Sequence, residues 1–225
     1  MLDQSPNDIR NSIFFMSFTL KILSFIALLL LGCNQQKDFI QVESPNKEIA
    51  VQIRKQKNDF IYNVNFKGKR IILNSKIGLM FKNGLEFPSY HNVREVEREF
   101  HSGSWELPWG EKRVVQNIYN EIIISFINKN NLEAGKMLFR AYDDGIAFRY
   151  QMNDNKKNQD SLIIINELTE FNLSEDAQAW WTPAYKENRY EYLYQKSNVS
   201  ALDTCHTPLT LKYNDGTHLS IHEAS

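Results

Sequence analysis

The sequence has few of the residues that break or cross-link a chain, with 2 cysteines, 6 prolines and 9 glycines among 225 residues. The low proline and glycine content argues against a linker-rich or disordered protein. The two cysteines form no C-x-x-C pair and have no zinc-finger spacing, and the histidines show no H-E-x-x-H pattern. No sequence motif of these residue types therefore indicates a metal site.

The sequence also lacks an excess of charge of either sign. Its 26 lysines and arginines offset 27 aspartates and glutamates, which leaves a net charge of −1. Binding of nucleic acid needs a concentrated basic surface, and no run of lysine or arginine provides one, so we exclude a nucleic-acid partner. The chain is 42% hydrophobic and 12% aromatic, which is enough for a packed core in one domain or two small ones.

An apolar run lies close to the N-terminus, from Ile22 to Leu31. It is too short to span a bilayer but has the length of a signal-peptide core. The sequence LLGC at Leu30–Cys33 resembles the lipobox of bacterial lipoprotein signals, in which cleavage leaves the cysteine as a lipidated first residue. Residues 1–33 are therefore predicted to form a lipoprotein signal segment with lipidation at Cys33.

This signal predicts where the protein works. Translation is expected to start at Met16, because residues 1–15 are polar and fit no part of a signal. Residues 34–43 are predicted to be a polar tether that holds the protein at the cell envelope, in the periplasm or at the outer membrane, through its acyl chains. An ordinary cleaved signal with an incidental cysteine is the alternative. If Cys33 is lipidated, Cys205 has no cysteine left to pair with and is expected to be buried.

From residue 44 onwards the chain shows the patterns of short strands. Apolar residues alternate with polar ones over Glu48–Arg54 and Phe60–Phe66, and Val114–Ile127 is rich in β-branched residues. A period of two indicates a half-buried strand. Met137–Met152 predicts a hairpin that turns at an Asp-Asp-Gly sequence, and a last hairpin follows between Leu209 and His222. These patterns predict an all-β fold, an antiparallel β-sandwich over residues 44–225.

Other stretches are less regular. Phe87–Gly103 carries mixed charge and is predicted to be an irregular crossing with a strand edge. Trp105–Arg113 is predicted to be a loop that packs on the sandwich or on another domain. Asp143 and Asp144 lack the spacing of a calcium loop and are predicted to form a turn. Arg140 and Arg149 are expected to face each other across the hairpin and to pair with acids, for which Glu111 and Glu121 are the candidates.

The stretch Ala179–Tyr194 combines two tryptophans and four tyrosines with Glu187 and Glu191. Aromatic rings cover the C–H faces of a pyranose, and carboxylates accept its hydroxyls or hold a hard cation. The alternative is a core strand lined by tyrosines, since aromatic stripes are more often core than site. The residues alone leave both interpretations open.

Several stretches together resemble one protein family. In order along the chain they are Ser44–Asn46, Gly68-Lys69, Trp109–Glu111, Asn117 with Tyr119–Glu121, Arg140 with Asp143–Tyr150, Trp181 with Pro183, Glu191-Tyr192, and His222–Ala224. The chain from Ser44 onwards resembles the N-terminal domain of glycoside hydrolase family 97, the α-glucosidases and α-galactosidases of Bacteroidota. The resemblance implies a sandwich of the galactose-mutarotase type that packs on a catalytic (β/α)₈ barrel.

The resemblance also implies a calcium ion in the active site, with Glu191 as the ligand that this domain supplies. Calcium takes six to eight oxygen ligands, and the family's other ligands and its acid and base carboxylates lie in the barrel. Glycoside hydrolysis needs two carboxyl groups across the scissile bond. We therefore assign no catalytic residue and expect the chain to be truncated before the barrel and inactive alone, with an incomplete calcium site.

The expected partners are the missing barrel, the membrane through the lipid anchor, and the α-linked glucan or galactoside on which the full-length family acts. Trp181, His222 and Glu223 are the residues predicted to contact substrate. A second interpretation is a free-standing, lipid-anchored carbohydrate-binding module for α-glucans that uses Trp180, Trp181 and nearby tyrosines. A third is an envelope protein that keeps the sandwich only as an interaction surface.

Overall fold

The computed structural model describes residues 39–152, 162–188 and 191–223. These residues form strands and one 3-10 turn, Val199–Ala201. The strands are β1 (Ile40–Glu43), β2 (Ile49–Gln56), β3 (Asp59–Phe66), β4 (Lys69–Ile77), β5 (Leu79–Phe81), β6 (Glu86–Phe87), β7 (Asn92–Glu106), β8 (Val114–Ile127), β9 (Glu133–Ala141), β10 (Ile146–Met152), β11 (Ile164–Glu167), β12 (Gln178–Trp181), β13 (Gln195–Asn198), β14 (Leu209–Lys212) and β15 (His218–Ile221).

The strands assemble into four antiparallel sheets. The first sheet has the order β1-β2-β3-β4 and the second β10-β9-β8-β7. The third is β11-β5-β6 and the fourth β13-β12-β14-β15. All four contribute to one hydrophobic core, so the predicted all-β sandwich is confirmed.

The alternating strands supply the core between the first two sheets. On β2, Ile49, Val51 and Ile53 are buried, as the period of two predicts. Phe60 of β3 meets Phe126 of β8 edge to face, with 5.0 Å between ring centroids. Such aromatic contacts contribute about 0.5–1.5 kcal/mol beyond the burial of area.

The fourth sheet is attached to the first by polar contacts. The hydroxyl of the buried Tyr213 donates to the carbonyl oxygen of Ile71 at 2.8 Å. The ammonium of Lys69 lies 2.7 Å from the carboxylate of Asp215 and 5.0 Å from the ring centroid of Tyr213. These contacts fix the position of the sheet that carries the candidate site.

Two sequence predictions about strands are wrong. Residues 40–43, assigned to the tether, form β1 and pair with β2, because Val42 fits the core and is 5% exposed. The stretch predicted as an irregular crossing contains most of β7, which pairs with β8 from Asn92 opposite Ile127 to Glu106 opposite Val114. Its charges are compatible with a strand because most of its side chains are exposed. Its stability comes from pairing rather than from burial.

Other predicted elements are confirmed. Val114–Ile127 is strand β8, and β9 and β10 form the predicted hairpin, closed by a hydrogen bond from the amide of Tyr142 to the carbonyl of Gly145 at 2.8 Å. The last hairpin is β14 and β15. The thiol of Cys205 is half-buried, and burial raises its pKa.

Some predictions fall on residues that the structure does not describe. The predicted signal segment, Met16 and Cys33 lie within residues 1–38. The lipid anchor and the envelope localisation therefore stay predictions. Within the described ranges, no helix has the length and apolar character that crossing a membrane would require.

Candidate functional site

Three of the four predicted site residues lie beyond one end of the fourth sheet. Strand β14 is antiparallel to both β12 and β15, so β12 and β15 point the same way and end at the same edge. Glu191 precedes β13, which starts opposite Trp181 at that edge. His222 and Glu223 directly follow β15. The strand order therefore brings Glu191, His222 and Glu223 to one rim.

The rim is wide. Strands β13 and β15 are the two edges of a four-stranded sheet, and neighbouring strands lie about 4.8 Å apart, so the edge strands are separated by roughly 14 Å. That span is comparable to a short oligosaccharide, so one ligand of this size can contact both ends of the rim.

Backbone contacts hold the segment that carries Glu191. After β12, Pro183 forms an isolated bridge with Cys205, and the amide of Ala184 donates to the carbonyl of Thr204 at 2.9 Å. Further along, the amide of Glu191 donates to the carbonyl of Asn188 at 3.0 Å. These bonds position the backbone of Glu191, and its carboxylate is exposed and makes no ion pair with any residue that the structure describes.

Exposed apolar residues accompany these polar groups. They are Tyr185, 92% exposed, Leu193, 91% exposed, and Tyr194, 65% exposed. We define the rim by six residues: Tyr185, Glu191, Leu193, Tyr194, His222 and Glu223. Sequence reasoning found the tyrosines through the density of aromatics, but it did not single out Leu193, because an isolated leucine carries no functional signal.

Trp181 does not belong to the rim surface. Its side chain is 5% exposed and forms part of the core, and its indole nitrogen donates to the hydroxyl of Ser197 at 3.0 Å. Its neighbour Trp180 is half-buried, with the ammonium of Lys196 at 5.1 Å from its ring centroid. The core interpretation of the aromatic stretch therefore fits Trp181, and the exposed-ring interpretation fits the tyrosines.

The rim residues fit a calcium ion only in part. A glutamate carboxylate offers one or two oxygens, against the six to eight that calcium takes. In the described ranges, no group of three or more histidine, cysteine, aspartate or glutamate side chains is placed to hold a metal. Glu191 can therefore act as one ligand of such an ion, with the others supplied from outside these residues.

A separate polar cluster lies on the outer face of the second sheet. The guanidinium of Arg140 donates to the carboxylate of Glu121 at 2.6 Å, and it stacks over the ring of Tyr119 at 4.6 Å. The hydrogen bond to Glu121 raises the pKa of Arg140. The predicted pairing with Glu121 is confirmed. The two arginines do not face each other directly, since Arg140 pairs with Ala147 and Arg149 with Leu138.

The sequence and the fold were compared with those of known proteins. The sequence profile of the family described as Glycosyl-hydrolase 97 N-terminal matches residues 42–225. A retaining alpha-galactosidase from Bacteroides thetaiotaomicron is 24% identical over 221 residues, covering 91% of this chain and 32% of that protein. The chain thus spans about a third of the length of this relative.

Solved structures give the same picture. A glycoside hydrolase family 97 enzyme from Pseudoalteromonas sp. strain K8 is 34% identical, with a TM-score of 0.76 over 83% of this chain and 28% of the enzyme. That enzyme was solved in complex with panose and in complex with acarbose. A beta-arabinopyranosidase shares the fold alone, at 16% identity and a TM-score of 0.66. The profile match over most of the chain shows that this protein belongs to glycoside hydrolase family 97, of which it contains the N-terminal domain.

Proposed function

We propose that this domain supports the active site of a calcium-dependent α-glycoside hydrolase by supplying one calcium ligand, Glu191, to a site that a catalytic barrel completes. The observation that carries the proposal is the position of the Glu191 carboxylate, which is exposed at the rim while its backbone is held in place. A calcium ion bound there would supply positive charge next to the sugar oxygens. His222 and Glu223, exposed at the other side of the same rim, are proposed to contact substrate.

The surroundings of Glu191 support a shared site. Tyr185, Leu193 and Tyr194 expose large apolar surfaces beside it, and an apolar patch rimmed by polar groups is typical of a surface that another body covers. The relatives that match are about three times longer than the region they share with this chain. A barrel that packs on the rim would bury these side chains and bring its carboxylates towards Glu191.

The second candidate is a free-standing carbohydrate-binding module that uses Trp180, Trp181 and nearby tyrosines. A binding platform for a glucan needs ring faces that are open to solvent. Trp181 is buried and hydrogen-bonded to Ser197, which speaks against a part for this residue. The exposed rings of Tyr185 and Tyr194 support this candidate as well as a surface that a barrel covers.

A chimera tests the proposal. Residues 39–223 would replace the matched N-terminal part of the Pseudoalteromonas enzyme, and hydrolysis of panose would be measured with and without calcium. We expect the chimera to be active with calcium, whereas the present chain alone should release no sugar. Glu191→Ala should abolish most activity and weaken calcium binding at least tenfold, because the ion loses one of its charged ligands.

A second measurement keeps the result interpretable. Calcium should raise the melting temperature of the chimera, and Glu191→Ala should remove most of that shift, since a ligand that binds only the folded state stabilises it. Glu187→Ala is the matched control, an exposed glutamate four residues earlier in the same segment. A folded chimera that calcium stabilises equally with and without Glu191 would refute the assigned role.

A further inference from the structure

The hairpin of β7 and β8 extends beyond the sandwich. Strand β9 pairs with β8 only as far as Ala141 opposite Asn120, whereas β7 continues to pair with β8 as far as Glu106 opposite Val114. We call residues 101–119 the arm. At about 3.3 Å per residue it reaches roughly 20 Å past the last rung that it shares with β9.

The tip of the arm exposes two indole rings. Trp109 is 85% exposed and Trp105 is 49% exposed. Together with its turn, the tip forms an open cleft lined by Glu106, Leu107, Pro108, Trp109, Gly110 and Arg113. Trp105 lies opposite Val115 of β8, and such a cross-strand pair stabilises the hairpin. Trp109 lies in the turn instead, where its ring is open to solvent and is available to a ligand.

Polar groups beside the rings have bonding capacity left. The guanidinium of Arg113 lies 3.4 Å from the carboxylate of Glu106, with the two side chains 81% and 66% exposed. Glu111 and Lys112, which directly precede Arg113, also carry opposite charges. The four charges of the tip thus sum to zero. The tip therefore has no electrostatic preference for an anion or a cation.

We propose that the arm tip binds a neutral oligosaccharide of two or three pyranose rings. The indole face of Trp109 covers the C–H face of a sugar, whereas Trp105 points to the face of β7 opposite to Glu106 and lies outside the cleft. Glu106 accepts from the hydroxyl groups and Arg113 donates to them. The choice of a saccharide as ligand rests on the proposed function, but this site is distinct from the rim, which belongs to a different sheet.

The size of the tip favours a sugar over a protein. A stable protein interface buries about 800 Å² on each partner and uses about 20–30 residues a side. The tip consists of the loop from Leu107 to Arg113 and the strand ends beside it. This surface has fewer residues than such an interface uses, and it suits a short oligosaccharide.

Panose is the probe for the test, titrated into the full chain by calorimetry and observed by saturation-transfer NMR. We expect a dissociation constant of about 0.1–1 mM. Trp109→Ala should weaken binding about tenfold, the effect of losing a dominant contact. The matched control is Phe100→Ala, which removes a 65% exposed ring from the same strand, roughly 20 Å from Glu106, and should leave binding unchanged.

Three results would overturn the proposal: no panose binding up to 10-fold above the expected range (about 10 mM), equal binding by the wild type and Trp109→Ala, or equal losses in Trp109→Ala and Phe100→Ala. Sedimentation of the same samples addresses the competing explanation. A dimer that Trp109→Ala dissociates, without panose binding, would assign the arm to protein contact instead. None of these results bears on calcium binding through Glu191, so failure here and failure of the proposed function are distinguishable.

Discussion

Replacing Arg140 with methionine should destabilise this domain by about 3 kcal/mol. Arg140 is the partner of Glu121, whose side chain is 7% exposed. Methionine keeps much of the side-chain volume but removes the charge, and it leaves a carboxylate that is both buried and unpaired. Most of the lost stability therefore comes from the unpaired charge of Glu121 and not from the missing contacts of the Arg140 side chain.

The size of the effect follows from the burial of the two partners. Breaking a fully buried ion pair costs about 3–5 kcal/mol, but the Arg140 side chain is 35% exposed, which lowers the loss to roughly 2–3 kcal/mol. The stacking of the guanidinium on Tyr119 at 4.6 Å adds about 0.5–1 kcal/mol. For a domain of this size the sum corresponds to a fall of about 6–12 °C in melting temperature.

A double-mutant cycle measures the pair itself. Arg140→Met, Glu121→Met and the double variant would be unfolded in urea and compared by free energy. The double variant should be more stable than Arg140→Met, because it no longer buries an unpaired charge, and the coupling energy should be about 2 kcal/mol. Arg149→Met is the matched control, an exposed arginine on the neighbouring strand, and should change stability by less than about 0.5 kcal/mol.

Additive costs would refute this reasoning. If the double variant loses the sum of the two single losses to within about 0.5 kcal/mol, the two side chains act independently. The 2.6 Å hydrogen bond would then contribute little to stability. A large loss in Arg149→Met would point to a general effect of removing charge from this sheet.

Two further predictions concern packing and pH. Gly135→Ala should lower the free energy of unfolding in urea by about 2 kcal/mol, because a Cβ there would lie 2.9 Å from the carbonyl oxygen of Gln151 and 3.2 Å from the ring of Phe87. Gly145→Ala is the control, since a Cβ there has no atom within 4 Å, and it should cost much less. Equal losses would contradict the steric argument. The hydrogen bond from Lys69 holds the pKa of Asp215 well below its usual range, so its contribution to stability is present above the unfolded-state pKa of about 3.9 and is lost as pH falls below it. Asp215→Asn should therefore reduce the fall in the urea midpoint of unfolding between about pH 5 and 2. If the midpoint of the variant falls as steeply with pH as that of the wild type, the Lys69–Asp215 pair does not contribute to stability.

Local patterns in the sequence predicted the strands that have one buried face. On β2, Ile49, Val51 and Ile53 alternate with polar residues and are buried, so the period of two carried the information. Strand β7 was missed because most of its side chains are exposed, and its strand conformation follows from pairing with β8. In the arm, the sequence predicted the β8 strand and the loop before it, but it did not predict that β7 continues alongside β8 as far as Glu106.

The candidate site could be predicted only residue by residue. Glu191, His222 and Glu223 were chosen separately from their resemblance to a family, and nothing local relates positions 191 and 222. They reach one rim because β14 lies between β12 and β15 while β13 lies on the other side. For Trp181 the signal in the sequence was ambiguous, since a stretch rich in aromatic residues indicates either a binding site or a core strand. Only the packing of the folded chain decides between the two.

Glu121 and Glu191 show how a structural carboxylate differs from one that is available for a ligand. The carboxylate of Glu121 is buried and bound by Arg140, so it stabilises the fold and cannot bind anything else. Glu191 is held through its backbone instead, and its exposed carboxylate makes no ion pair within the described part of the chain. Because that carboxylate is exposed and makes no ion pair among residues 39–152, 162–188 and 191–223, Glu191→Ala should leave the unfolding free energy of the present chain within about 0.5 kcal/mol of the wild type without calcium. A larger loss would mean that Glu191 has a structural role, and its part in a shared calcium site would have to be argued again from the chimera.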